Sequence, residues 1–98
     1  MKRYYELIKN SKPKNKAKKL RFDPAQQVYF ASCYNYEVIE ILGFATGLLL
    51  DLSDGNRSLA DIVKDVSLAC HEPEEAIEEV IVNEIRKLQR KHLLYLEA

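Results

Sequence analysis

A change of hydrophobic period near residue 42 constrains this chain more than any other feature. Before it, apolar and β-branched residues come in short extended runs. After it, they recur every three to four residues. Leu20 to Asp23 alternates apolar and polar before Pro24, and Gln27 to Cys33 (QVYFASC) is rich in β-branched and aromatic residues. Tyr36 to Ile41 (YEVIEI) continues the pattern, which predicts three strands. The Tyr34-Asn35 link predicts a tight antiparallel hairpin between the second and third, since Asn tolerates left-handed backbone geometry. A meander this short cannot bury its face alone and needs helices against it.

Three helices follow. Phe44 to Leu52 is apolar nearly all round, which predicts a helix buried on most sides, and Gly55 after Asp54 is a good terminator. Ser58 with Asp61 three residues on forms an approximate capping box. It opens a second helix whose Leu59, Ile62, Val63 and Val66 recur at helical spacing. A third helix starts around Pro73, with Glu74, Glu75, Glu78 and Glu79 at its N-terminal end and Arg86, Lys87, Arg90 and Lys91 near its C-terminal end. That is the charge order a helix dipole favours. Ile77, Ile81, Ile85 and Leu88 form its core stripe, and Leu93 to Leu96 ends the chain as a frayed turn or a short extended piece. The expected class is α+β: a three-stranded antiparallel sheet followed by three helices, similar to a winged helix-turn-helix.

Ninety-eight residues allow one small domain with little room for an enclosed active site. The net charge of zero hides an asymmetry. Residues 1–21 carry nine Lys or Arg and one acid, for +8, and residues 22–98 carry six basic and fourteen acidic residues, for −8. Lys9 to Lys19 (KNSKPKNKAKK) has almost nothing to bury, so residues 1–19 read as a flexible basic arm ahead of a domain over 20–98. The arm is either a solvated terminus or a segment that docks on an acidic partner or on the chain's own acidic body, with weak phosphate binding a further option. The longest apolar run, Ile41 to Leu50, is ten residues, about half a membrane span, so no membrane association is expected. No apolar stretch follows the basic N-terminus as in a secretory signal, and two separated cysteines fit a reducing cytoplasm.

Little in the chain suggests catalysis. Cys70 and His71 are adjacent and point apart in a helix or turn, and Cys33 on a strand is a small hydrophobe. His92 stands alone, no metal-ligand spacing is present, and Gly43 and Gly47 lack the Lys-Ser/Thr of a phosphate loop. Neither enzyme activity nor a cofactor is expected.

Binding is the better prospect. In a winged helix-turn-helix the last helix would enter the DNA major groove, but here its start reads Glu72, Pro73, Glu74, Glu75, then Glu78 and Glu79. Carboxylates facing phosphates disfavour nucleic acid, though the basic arm keeps a winged-helix DNA binder as the alternative. The other route is a free sheet edge, to which an extended peptide adds by backbone hydrogen bonds. If the third strand is that edge, a groove lies between it and the third helix. Glu78, Val82, Ile85 and Gln89 flank it on the helix side. Val82, apolar and off the main stripe, is either ordinary packing or the floor of the groove. The same edge leaves a monomer or a sheet-edge dimer open.

Two segments carry a resemblance to a known family. One is FDPAQ (Phe22 to Gln26) ahead of the hairpin. The other is GLLLDLSDGNRSLADIV, where a Leu-rich helix ends in Asp54-Gly55 and Arg-Ser-Leu-x-x-Ile follows. The run from Leu20 to Val66 resembles the PqqD family, the small pyrroloquinoline quinone biosynthesis protein D and its relatives, and the third helix matches in character only. The resemblance implies a winged-helix-like RiPP recognition element. Such modules take the leader of a ribosomally made precursor peptide as an added strand and present it to a modifying enzyme, often a radical SAM maturase. The resemblance makes Glu37, Val38, Ile39, Glu40 and Ile41 the receiving strand and Glu78, Val82, Ile85 and Gln89 the facing wall. The basic arm departs from the family pattern, which suggests a relative serving a different precursor. A subunit that only scaffolds its enzyme is the third option.

Overall fold

The computed structural model describes residues 2–33 and 39–97. The chain runs α1 (Lys2–Ile8), β1 (Lys12–Asn15), β2 (Lys19–Asp23), β3 (Val28–Ser32), β4 (Ile39–Gly43), α2 (Phe44–Leu52), α3 (Leu59–Cys70), α4 (Glu74–Arg90) and β5 (Leu94–Glu97). The architecture is α+β, and β2, β3 and β4 form an antiparallel sheet in that order ahead of the three main helices. Register sets Phe22, Tyr29 and Leu42 in one row across the sheet and Leu20, Ala31 and Glu40 in the next. Tyr29, Ala31 and Leu42 are buried. These rows make the inner face, and α2 lies against it. A Cβ built on Gly47 of α2 would fall 2.1 Å from Tyr29 Cδ1, so only glycine lets helix and strand approach this closely. Phe22, Tyr29 and Phe44 close the same end with ring centroids 4.9, 5.7 and 6.4 Å apart.

α3 begins on a side-chain cap visible in the sequence, whereas α2 and α4 start without one and α2 ends on Ser53 at φ −82°, ahead of Gly55. Ser58 caps α3 by accepting the Asp61 backbone N–H, and α3 ends on His71 in left-handed conformation at φ 55°. Pro73 is the residue before α4 rather than within it, and Glu74 and Glu75 occupy the first turn. Leu49, Leu50, Leu59, Ile62, Val63, Val66, Ile81 and Ile85 are wholly or almost wholly buried and form the centre of the core. The Asp54-Gly55 loop leaves α2 with Gly55 at φ 84°, its N–H donating to the Pro13 carbonyl.

Two expectations are corrected. The segment 1–19 is not a bare flexible arm. It carries α1, whose Tyr5 is buried, and β1, which pairs antiparallel with β5 (Lys12 opposite Glu97, Asn15 opposite Leu94). The other side of β1 is satisfied too, since Asn15 N–H donates to Ser53 O. Pro13 is buried while Lys12, Lys14, Lys16 and Lys18 are exposed. A period-2 pattern therefore exists, but the inward residues are Pro, Asn and Ala, which do not read as apolar. The same ladder settles the chain end at 94–97 as extended. The second correction is register. A two-residue turn at Tyr34-Asn35 would set Ser32 opposite Glu37, whereas Ser32 pairs with Ile39. Tyr34 and Asn35 themselves lie outside the described residues.

Candidate functional site

β4 is an edge of its sheet, and its residues divide by parity. Leu42 and Glu40 turn inward, Leu42 into the core and Glu40 to its rim, where Lys91 Nζ meets Glu40 Oε2 at 3.0 Å. Ile39 and Ile41 are 63% and 66% exposed on the outer face. Register places Arg21, Phe30 and Ile41 in one outer row and Lys19, Ser32 and Ile39 in the next. The outer face is therefore cationic on the β2 side and apolar toward the open β4 edge. Arg21 lies over the Phe30 ring, 5.5 Å from its centroid. These residues line a shallow concavity of about 620 Å³. Glu37 and Val38, expected in the receiving strand, lie outside the described residues.

The expected helix wall is not gathered in one groove. Glu78 and Val82 line a cavity with Tyr5 of α1, and Tyr4 beside it lies under the Arg86 guanidinium at 4.5 Å. The flank of α4 that sequence left open is thus covered along part of its length by α1. Gln89 lines a different concavity with Lys16, Cys33 and Tyr95. Ile85 is wholly buried, so the core claims it and it presents nothing to a ligand. Of the nine expected residues, the structure joins Ile39 with Ile41, and Glu78 with Val82. Tyr5 is the residue that sequence reading missed. Tyr4, Tyr5 and Ile8 at adjacent and i, i+4 positions carried a helical signal that the surrounding lysines obscured.

Cys33 is buried, with its thiol directed to the His92 carbonyl at 3.8 Å, and burial followed by Glu72 pushes the Cys70 thiol up, away from thiolate. The Asp54 carboxyl is held below its ordinary range by the backbone N–H groups of Asn56 and Arg57 together with the Arg57 guanidinium, an arrangement that fixes a turn. Among the described residues, no group of three or more His, Cys, Asp or Glu is placed to hold a metal ion. No described helix is long and apolar enough to cross a membrane. No protein-family model, curated protein or solved structure matches this chain.

Proposed function

We propose that the chain is a non-catalytic peptide-recognition module. It takes an extended segment, the leader of a ribosomally made precursor, as an added strand on β4 and delivers it in the cytoplasm to a modifying enzyme of the radical SAM class. One observation carries this reading. β4 is a sheet edge that shows two exposed isoleucines on one side and a charged tether to α4 on the other. Edge strands present unpaired N–H and C=O groups, and an incoming strand satisfies them at roughly 0.5–1.5 kcal/mol net per bond. Alternate residues of the incoming strand lie beside Ile39 and Ile41, which selects apolar side chains there, while the intervening ones meet Glu40. Chemistry is left to the enzyme, in keeping with a chain whose thiols are buried or shifted away from reactivity. Duplex DNA is disfavoured by Glu72, Glu74, Glu75, Glu78 and Glu79 at and before the start of α4.

The test is a titration of the labelled chain with the leader peptide of a precursor encoded beside it, read by amide NMR. Saturable shifts over 39–43 that are abolished by Ile41→Asp, an exposed position tolerant of charge, are expected. Shifts absent from β4 in the parent, or unchanged by Ile41→Asp, would overturn strand addition. Tight, steeply salt-dependent binding of duplex DNA instead would favour the winged-helix alternative.

A further inference from the structure

The cavity between α1 and the first turns of α4 has features that strand addition at β4 does not use. Its volume is about 350 Å³, at the lower end for small-ligand sites. Tyr5, Ala76 and Val82 form the buried and half-buried part, and Glu75, Glu78 and Glu79 stand around it. Tyr5 is only 6% exposed, yet its hydroxyl makes no hydrogen bond among the described residues, the Tyr5 carbonyl alone being engaged, by the Lys9 N–H. No wholly buried side-chain nitrogen or oxygen among them lacks a partner, so the Tyr5 hydroxyl reaches solvent, and the cavity it lines is the space beside it. Burial, then Glu78, Glu74 and Glu6 in that order, push its pKa up to about 12, and the ring lines the same cavity as Glu75, Glu78 and Glu79.

No cation among the described side chains is paired with the carboxylates of Glu74, Glu75, Glu78 and Glu79. Glu75 and Glu79 are spaced i, i+4, as are Glu74 and Glu78, and like charges at that spacing repel. The helix N-terminus offers only about half a positive charge against four. The four do not converge on a point as metal ligands do. A guanidinium or ammonium on an apolar stem suits the site better than a bare ion. The stem lies on Val82 and Ala76, the head takes the carboxylates and the Tyr5 hydroxyl, and the Tyr5 ring adds a cation–π face.

We propose that this cavity binds an arginine or lysine side chain of a peptide, with Tyr5, Val82 and the carboxylates of Glu75, Glu78 and Glu79 as its recognition elements. The site is separate from β4 and stands or falls independently of strand addition. The probes are two short blocked peptides, Ac-Ala-Arg-Ala-NH2 and its norleucine counterpart, titrated into the full labelled chain at low salt. The arginine peptide is expected to shift Tyr5, Glu78 and Val82 saturably, the norleucine peptide to leave them in place. The exposed pair Glu75→Gln/Glu79→Gln, which leaves the apolar packing untouched, is expected to weaken binding about tenfold, the loss of two exposed ion pairs. Equal shifts by norleucine, arginine shifts spread evenly over unrelated carboxylates such as Asp61 and Glu84, or unchanged affinity in the double variant would each overturn the proposal. Failure of these outcomes with shifts over 39–43 intact leaves the β4 reading standing alone.

Discussion

Lys91 Nζ lies 3.0 Å from Glu40 Oε2, joining the residue that ends α4 to the edge strand of the sheet across fifty-one positions of sequence. Both side chains are substantially exposed, so the pair contributes little to folding; ion pairs of this kind are worth about 0–1 kcal/mol. The pair marks where the C-terminal end of α4 stands beside β4, a placement that the buried core sets. Lys91→Ala is therefore expected to lower unfolding free energy by less than about 1 kcal/mol in urea, with an unchanged denaturant slope. A loss of several kcal/mol would mean that the contact carries core packing.

Gly47 is expected to be far less forgiving. A methyl group there meets Tyr29 Cδ1 at 2.1 Å and Cγ at 2.3 Å, and Tyr29 is held between Phe22 and α2. Gly47→Ala should cost on the order of 1–3 kcal/mol through overpacking. The same change at Gly43, where a Cβ meets nothing within 4 Å and φ is −61°, should stay within about 0.5 kcal/mol. Urea denaturation of the two variants side by side checks the contrast, and equal effects would remove the close helix–strand approach as the reason.

The difference between these two glycines marks how far sequence reading reaches. The apolar run Phe44 to Leu52 and the Ser58–Asp61 cap follow from local chemistry, apolar content and a hydroxyl at an N-cap, whereas α2 ends on Ser53 at φ −82°, ahead of the left-handed Gly55. Which glycine admits a neighbouring ring is a tertiary fact. So is the fate of Val82. Its place off the core stripe is legible, but the partner that covers it, Tyr5, comes from seventy-seven residues earlier in a segment dominated by lysine. β1 escaped for a related reason. Its inward positions include Pro13, a residue that demotes a strand in any pattern count, and its two edges are satisfied by partners remote in sequence, β5 and Ser53. The β4 edge was partly legible, because a three-stranded meander must leave an edge. Its register was not, because Ser32 opposite Ile39 depends on a connection that local turn propensity does not determine.

The ordered N-terminal segment gives a direct experiment. Deleting residues 1–16 removes buried Tyr5 and Pro13 and exposes β5, so a loss of several kcal/mol in unfolding free energy is expected. A flexible arm could be removed without effect. Tyr5→Ala alone should cost roughly 3–5 kcal/mol by analogy with other large aromatic truncations, whereas Leu7→Ala, at a side chain 78% exposed, should be close to neutral. Deletion that leaves the urea midpoint in place would restore the flexible arm.

Alkaline pH supplies a test of Tyr5 that needs no ligand. In the unfolded chain its phenol ionises near the ordinary value of 10, and in the fold at about 12, because burial and the carboxylates of Glu78, Glu74 and Glu6 oppose a phenolate. A raised folded pKa means that the unfolded state releases its proton first as pH rises. Tyr5 therefore contributes its full stabilisation below pH 10, and that contribution is lost between about pH 10 and pH 12. Tyr29, raised by burial and Asp51, and Cys70, raised by burial and Glu72, act with the same sign. Urea midpoints measured from neutral pH upward should hold level and then fall through this window. Tyr5→Phe keeps the ring and removes the ionisable hydroxyl, so its midpoint should fall less steeply than the parent's over the same range, the residual slope belonging to Tyr29 and other alkaline groups. Parallel curves for parent and variant would show that the hydroxyl feels neither burial nor the glutamates of α4, and would take away the electrostatic half of the case for a cation-binding cavity.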